Sequence, residues 1–386
     1  MRTRPDPVSL TVILTIGMLA APVPAQRQPP PTPRSDSSTL GRNAALNYWQ
    51  AFAHLPKELP PPGDTGPDPD EAKLVESGKD ALLYLRRGAA IGPCDWGLHR
   101  EDGPYLLLPH LAKGRDLGRL AGMKIRRDFA AGAGADAAET GADTIAMARH
   151  LSSDLAAIIS YLVQLATERA TIESMAPRLA SLHPAALDAL DRRLASLPPG
   201  GSLEACVKVE RELGIGWAIG QLRKMNDQDP WKDRVLAPYV MNEGAPQPGK
   251  LDALVAAAGG TRQGALGQFE LLLGYYDEVG KAIALPRDEF RAKLAELEKR
   301  TEGNAFAAAT LPAMARVYDN DAAGRTRLTM LRAAVAVLRG GPEKARGFTD
   351  ATGSPLEYRP APGGFELTSK VIEKDKPVTL KVGGKQ

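Results

Sequence analysis

Asp95, His99, Glu101 and Asp102 bring an imidazole and three carboxylates into one short stretch, beside Cys94 and Trp96. A carboxylate that orients an imidazole leaves the second ring nitrogen free to bind a cation or move a proton, and further carboxylates can complete the site. The chemistry such a set would serve is metal-dependent hydrolysis. Asp95, His99 and Glu101 are then the candidate catalytic groups, and Asp95, His99 and Asp102 the candidate metal ligands. The same residues also describe a solvated loop pinned by its cysteine and tryptophan, and the sequence favours that reading.

Ser160 and Gln164, four apart and so on one helix face, are a second candidate pair: they either line a pocket between helices or hydrogen-bond a neighbouring helix. The remaining motifs exclude more than they suggest. Gly244 to Lys250 follows the glycine and lysine spacing of a phosphate-binding loop, but Leu251 stands where a hydroxyl must meet magnesium, and Pro246 and Pro248 lack the N–H groups that cradle phosphate. Gly214, Gly216 and Gly220 have one residue too many for a dinucleotide fingerprint and lie in a helical pattern. Asp319, Asp321 and Gly324 imitate the start of a calcium-binding loop whose closing carboxylate is replaced by Met330. The five histidines, His54, His99, His110, His150 and His183, contain no pair at the spacing of a helical zinc site, and there is no nucleophile-elbow serine. No cofactor is expected.

The elements that must position these residues are helical. From Asp143 to Ala176 apolar residues recur at alternating spacings of three and four, with a second row beside them and Arg169 as the one charge in the seam. This reads as the inner helix of an array, with Arg169 at its rim beside an acidic partner. Further helices are expected over Asn43 to Leu55, with Leu46, Trp49 and Phe52 inward, over Glu71 to Arg87 and over Pro109 to Ala131, where Gly132 to Gly134 turns the chain back. Others follow His183-Pro184, run from Ser202 to about Met225, begin at Thr261, span Asp288 to Arg300, and centre on Leu328 to Leu338. After Gly340-Gly341-Pro342 the period becomes two, which predicts two or three short strands with a turn at Pro360 to Gly364. The fold class is therefore mainly α, an irregular antiparallel helical array with a small C-terminal β-hairpin or three-stranded β appendage.

The first 25 residues read as a signal peptide. Arg2 and Arg4 precede an uncharged, mostly apolar run from Val8 to Ala21, and Val23-Pro24-Ala25 supplies small residues for cleavage before Gln26; an uncleaved anchor is the alternative. Residues 26–42, rich in proline and serine, read as a disordered tether. Residues 43–345 form the helical domain, with a possible subdivision near 226–250, and residues 346–386 the β appendage and tail. In an oxidising compartment Cys94 and Cys206, the only two cysteines, form a disulfide or remain two separate buried thiols; the disulfide is the expectation carried forward. With 49 basic against 46 acidic residues and a net charge of +3, nothing points to nucleic acid. After signal cleavage no transmembrane span is expected.

The run from Cys94-Asp95-Trp96 through Leu117 and Leu120 to Ala148, Arg149, His150 and Leu151, with the pairs Ile158-Ile159 and Leu162-Val163, resembles a group of exported helical proteins from planctomycete-type bacteria, a group that implies no activity. Asp350, Thr352, Gly353, Pro355, Leu356, Tyr358, Arg359, Gly364, Phe365 and Leu367 resemble a C-terminal segment of the same group. More loosely, they are similar to the C-terminal strands of type II secretion major pseudopilins, where such a segment leads into a final hairpin. The chain lacks the pseudopilin N-terminal signal, so the resemblance implies only the hairpin. The expectation is an exported, non-enzymatic helical binding or scaffold protein of the periplasm or cell envelope with an unknown protein or envelope partner; the alternative is a metal-dependent hydrolase using the Asp95 to Asp102 loop.

Overall fold

The computed structural model describes residues 42–60, 69–242, 245–311 and 314–384. The expected signal peptide and, Arg42 apart, the expected tether lie outside them. No helix among the described residues is long and apolar enough to cross a membrane.

Asn43 starts helix α1, Ala44–Ala53, by accepting the N–H of Ala45 on its side-chain oxygen at 3.0 Å. The buried face carries Ala44, Ala45, Tyr48, Ala51 and Phe52, whereas Leu46 and Trp49 are 46% and 37% exposed. The expected face is thus turned by about one position. Alanines let the backbone approach the next helices, and Tyr48 lies over Gly88, where a Cβ would sit 2.6 Å from the ring. The helix expected over Glu71 to Arg87 is two, α2 (Pro69–Ser77) and α3 (Lys79–Ala89), parted at Gly78 where Leu120 presses on the backbone. Helix α4, Pro109–Ala130, then reverses through Gly132 at φ +76°.

The long inner helix is also divided, into α5 (Gly134–Ser153) and α6 (Ile158–Met175). Distant side chains account for the break. The carbonyls of His150 and Leu151 at the end of α5 accept the indole N–H of Trp96 at 2.8 Å and Nε2–H of His110 at 3.3 Å, and Glu210 accepts the N–H of Ile158 at 3.1 Å, so free groups at both helix ends have partners that local sequence does not supply. Leu155 and Ala156, between the two helices, remain buried. A 3₁₀ turn, Ala176–Ser181, follows α6, and His183 caps α7, Pro184–Ala195.

Ser202 caps α8 (Leu203–Val209), which continues through a π-helical stretch, Glu210–Gly216, into α9, Trp217–Lys224. Between 226 and 250, a π-helical turn, Lys232–Leu236, and a 3₁₀ turn, Ala237–Val240, bury Val235, Leu236 and Val240 in a cluster that also holds Leu222 and Leu254, from either side. A two-residue ladder pairs β1 (Met241–Asn242) with β2 (Ala245–Pro246), and α10, Pro248–Ala257, follows as a helix that the proline-rich approach concealed. Then come α11 (Arg262–Ala282), α12 (Arg287–Arg300), α13 (Ala305–Thr310) and α14 (Met314–Gly340). Asp319, Asp321 and Gly324 lie inside α14, which cannot wrap an ion as a calcium loop does.

Three antiparallel strands end the described chain: β3 (Glu357–Ala361), β4 (Gly364–Glu373) and β5 (Lys376–Gly383), in that spatial order. Their inward row, Phe365, Leu367, Val371, Val378, Leu380 and Val382, packs with α14 and α7, so the sheet is part of the core. Asp350 holds its approach. One carboxylate oxygen accepts the N–H groups of Thr352 (2.9 Å) and Ser354 (3.1 Å), and the other accepts that of Lys370 beside a bulge in β4 (2.8 Å). Burial pushes this carboxyl up, yet the donors, led by the Thr352 hydroxyl, hold it below its ordinary value. The segment from Asp350 to Leu367 therefore has a local structural account.

The apolar residues form three clusters, and α6 reaches all of them. Val163 enters the first, with α1, α3 and α4; Ile158, Tyr161 and Leu165 enter the cluster of α8 to α13; Ile172 and Met175 enter the cluster of α7, α14 and the sheet. Arg169 lies at the rim, 40% exposed, bonded to Glu173 at 2.8 Å and near Glu373 at 3.4 Å, as the seam predicts. The expected disulfide does not form: Cys94 and Cys206 are free thiols. Cys94, half-buried, packs against the first cluster and Cys206 is buried in the α8 cluster, and burial pushes both thiols up.

Asp143 shows the electrostatic cost of this close packing. It is 6% exposed and pairs with Arg193 of α7, but burial outweighs Arg193 and Arg86 and pushes its carboxyl up to about 6. A raised carboxyl binds its proton more tightly folded than unfolded, so its contribution to stability is full below the unfolded value and falls as pH rises toward 6. Asp143→Asn should thus gain on wild type by up to about 3 kcal/mol between roughly pH 4 and 6, read from urea titrations across that range.

Candidate functional site

The loop from Gly92 to Gly103 is irregular until Arg100, where a short 3₁₀ segment, Arg100–Tyr105, begins. Its first acidic residue serves the backbone. Asp95 accepts the N–H of Gly97 at 2.8 Å, while its own main chain exchanges two hydrogen bonds with the Asn43 side chain, at 2.7 and 2.9 Å. One asparagine therefore caps α1 and holds the loop.

Trp96 fixes the loop from below. Its ring stacks on His110 at 4.5 Å and on Phe52 at 6.0 Å, and lies near Tyr48 at 5.8 Å. Its indole N–H donates to the carbonyl of His150 at 2.8 Å, and its main-chain N–H donates to Asp154 at 3.2 Å. Arg100 closes the arrangement on Asp154 at 3.1 Å. His150 is held at both nitrogens. Nε2 meets the carbonyl of Gly92 at 3.1 Å, and since a carbonyl only accepts, Nε2 carries the hydrogen and Nδ1 accepts from the Tyr48 hydroxyl at 2.8 Å.

By the same reasoning His110 donates from Nε2 to the carbonyl of Leu151 at 3.3 Å, and its buried Nδ1 has no hydrogen-bond partner among the described residues. Burial lowers His150 and pushes His110 down to about 4, so both rings stay neutral at physiological pH. These two are the enclosed histidines of the region, and both serve the packing of the loop.

His99 is different. Its side chain is 77% exposed and touches Glu101, 74% exposed, at 3.2 Å. Asp95 is exposed and committed to its turn, and among the described residues no three histidine, cysteine, aspartate or glutamate side chains converge to hold a metal ion. The second candidate pair is enclosed. Gln164 accepts the N–H of Gly201 at 2.9 Å and donates to Glu168 at 3.1 Å, also bonding Ser152, while the Ser160 hydroxyl is buried with no hydrogen-bond partner among the described residues. Neither lines the groove that borders Glu101 and Asp102.

The structure adds a feature that spacing did not show. Glu101 and Asp102 stand at the lip of an open groove of about 440 Å³ whose walls are Tyr105, Trp217, Gln221, Met225 and Arg234. Gly103, at φ +56°, lies flat beneath the Trp217 ring, where any Cβ would collide with the indole. Trp217 donates its indole N–H to the carbonyl of Glu101 at 3.0 Å. Tyr105 donates its hydroxyl to the carbonyls of Asp233 and Arg234 at 3.1 and 3.2 Å. The two rings meet edge to face at 6.0 Å. Of the 100 to 105 segment and α9, more than a hundred residues apart, only the glycine and the aromatic composition leave a trace in sequence.

Removing a half-buried acceptor and removing an exposed imidazole should have different consequences. Asp154→Ala should lower unfolding stability by about 2 kcal/mol, because it strips Trp96 N–H and Arg100 of an acceptor. His99→Ala should stay within about 0.5 kcal/mol of wild type, both read from urea denaturation at neutral pH. Compared with protein-family models, curated proteins and solved structures, the chain matches none.

Proposed function

We propose that the protein is an exported, non-enzymatic helical binding or scaffold module that works in the periplasm or cell envelope, with the groove between the 100 to 105 segment and α9 as its contact face. The observation that carries this reading is the state of the groove's aromatic donors. The indole N–H of Trp217 and the hydroxyl of Tyr105 are both spent on main-chain carbonyls, so the two residues bring apolar ring surface to the groove and no free proton donor for chemistry. Exposed apolar residues continue this surface in sequence: Tyr105 is 43% and Leu107 79% exposed. The basic, apolar and small-residue order of the first 25 residues supports export, as does the resemblance to exported helical proteins.

The competing reading is a metal-dependent hydrolase built on Asp95, His99, Glu101 and Asp102, and the His99–Glu101 contact is the observation in its favour. A His99→Ala/Glu101→Ala double variant separates the two, since both side chains are exposed and their loss should leave the melting temperature within about 1 °C. Under the binding reading, metal content by mass spectrometry and turnover of ester and phosphoester probes are the same for both proteins. Bound metal or hydrolysis that disappears in the variant at unchanged melting temperature would overturn it. A Met225→Asp/Arg234→Glu variant should in turn lose envelope partners that the wild type retains in parallel pull-downs.

A further inference from the structure

Leu107 is the apolar side chain that the fold leaves most exposed beside the groove. It is 79% exposed, in the stretch between the 100 to 105 segment and α4, with Leu106 and Leu108 half-buried on either side. A single exposed leucine is ordinary on a protein surface. This one stands two residues from Tyr105, itself 43% exposed and a wall of the groove, so apolar surface runs from the groove over its rim. A projecting side chain beside a concave site supplies the two halves of an isologous contact, in which each copy gives both.

The charges of the groove match the same arrangement. The carbonyl of Glu101 is held by the Trp217 indole and the carbonyl of Arg234 by the Tyr105 hydroxyl, so the acidic lip and the guanidinium are anchored at different rings. Among the described residues Asp102 and Arg234 have no ion-pair partner, and Glu101 meets only the exposed His99. Asp233, beside Arg234 in sequence, is not a wall residue. A ligand of one sign would be attracted by one of these charges and repelled by the other. A second copy related by a two-fold axis instead presents guanidinium to carboxylates and carboxylates to guanidinium, so both are matched at once. The net charge of +3 sets little repulsion between copies.

We infer that the groove is an isologous interface between two copies of this chain. Leu107 of each copy enters the groove of the other against Trp217 and Met225, while Arg234 of each meets Glu101 and Asp102 of the other. The inference rests on reading the groove as a contact face, and names a second copy as what it contacts.

Sedimentation velocity of the purified full chain across the micromolar range tests it, on variants whose melting temperature equals that of wild type. Wild type should sediment as a dimer that dissociates on dilution. Arg234→Glu alone, and Glu101→Arg/Asp102→Arg alone, should each weaken self-association by about tenfold or more, because like charges then face one another in both halves. Mixing equal amounts of the two reversed chains should recover the dimer, since every charge pair between unlike chains is again opposite in sign. Leu107→Asp, at a site too exposed to endanger the fold, should remain monomeric in every mixture. A monomeric wild type, a dimer indifferent to either reversal, or reversed chains that stay monomeric when mixed overturns the inference. Envelope proteins captured through Met225 and Arg234 by a chain that stays monomeric also overturn it, yet they uphold the contact-face reading. Metal or hydrolysis lost with His99 and Glu101 overturns that reading instead, so the two failures are distinguishable.

Discussion

Glu168 is the buried charge around which the helices are arranged. It is 3% exposed on α6, and burial pushes its carboxyl up against the opposing influence of Arg149, which reaches it from α5 at 3.0 Å. Gln164 donates to the same carboxylate and, together with Ser152, takes the N–H of Gly201, while Arg149 also donates to the carbonyl of Pro198 at 2.9 Å. A carboxylate in an apolar interior must have its partners in place, because each missing one leaves an uncompensated group that water cannot reach. The network thereby sets the distance from α5 to α6 and fastens the 198 to 201 turn across both.

The candidate loop depends on that arrangement. His150, Leu151 and Asp154, which hold Trp96, His110 and Arg100, occupy the last turn of α5 and the break that follows it. Were α5 and α6 one continuous helix, Asp154 would stand within it, and the loop would have lost its anchor. Glu210 at the start of the π-helical stretch fixes the other side of the break by receiving Ile158, and the same continuous helical run carries Trp217 to the groove seven residues later. Position along one run of backbone thus links the helix break, the loop and the groove.

At the far end of α6 the charges are shared more loosely. Arg327 and Arg169 both approach Glu373 of β4, and although burial pushes that carboxyl up, the Arg327 hydrogen bond and the two guanidinium charges hold it below its usual range. This contact and the Asp350 loop clamp the sheet to α14 and α6. The alternating row of β4 and β5 becomes core because of where it is clamped; the same strands held only through their hairpin would expose it.

The helical class, the helix starts at Asn43, His183, Ser202 and Thr261, the reversal at Gly132, the small C-terminal β element and Arg169 at the rim were all legible in the sequence, because each follows from residues within a turn or two of one another. The site region was legible as a loop pinned by Trp96, and composition alone pointed there. What tertiary structure decided was everything that depends on a distant partner: the division of the inner helix, whose ends meet Trp96, His110 and Glu210, the rotation of α1 that exposes Leu46 and Trp49, and the separation of Cys94 from Cys206 into different clusters. It also brought Gly103 beneath Trp217 to open a groove beside Glu101 and Asp102. Spacing reports which face of a helix is apolar, but only packing determines which neighbour it meets, where a remote carboxylate can end a helix, and which charges are left facing solvent.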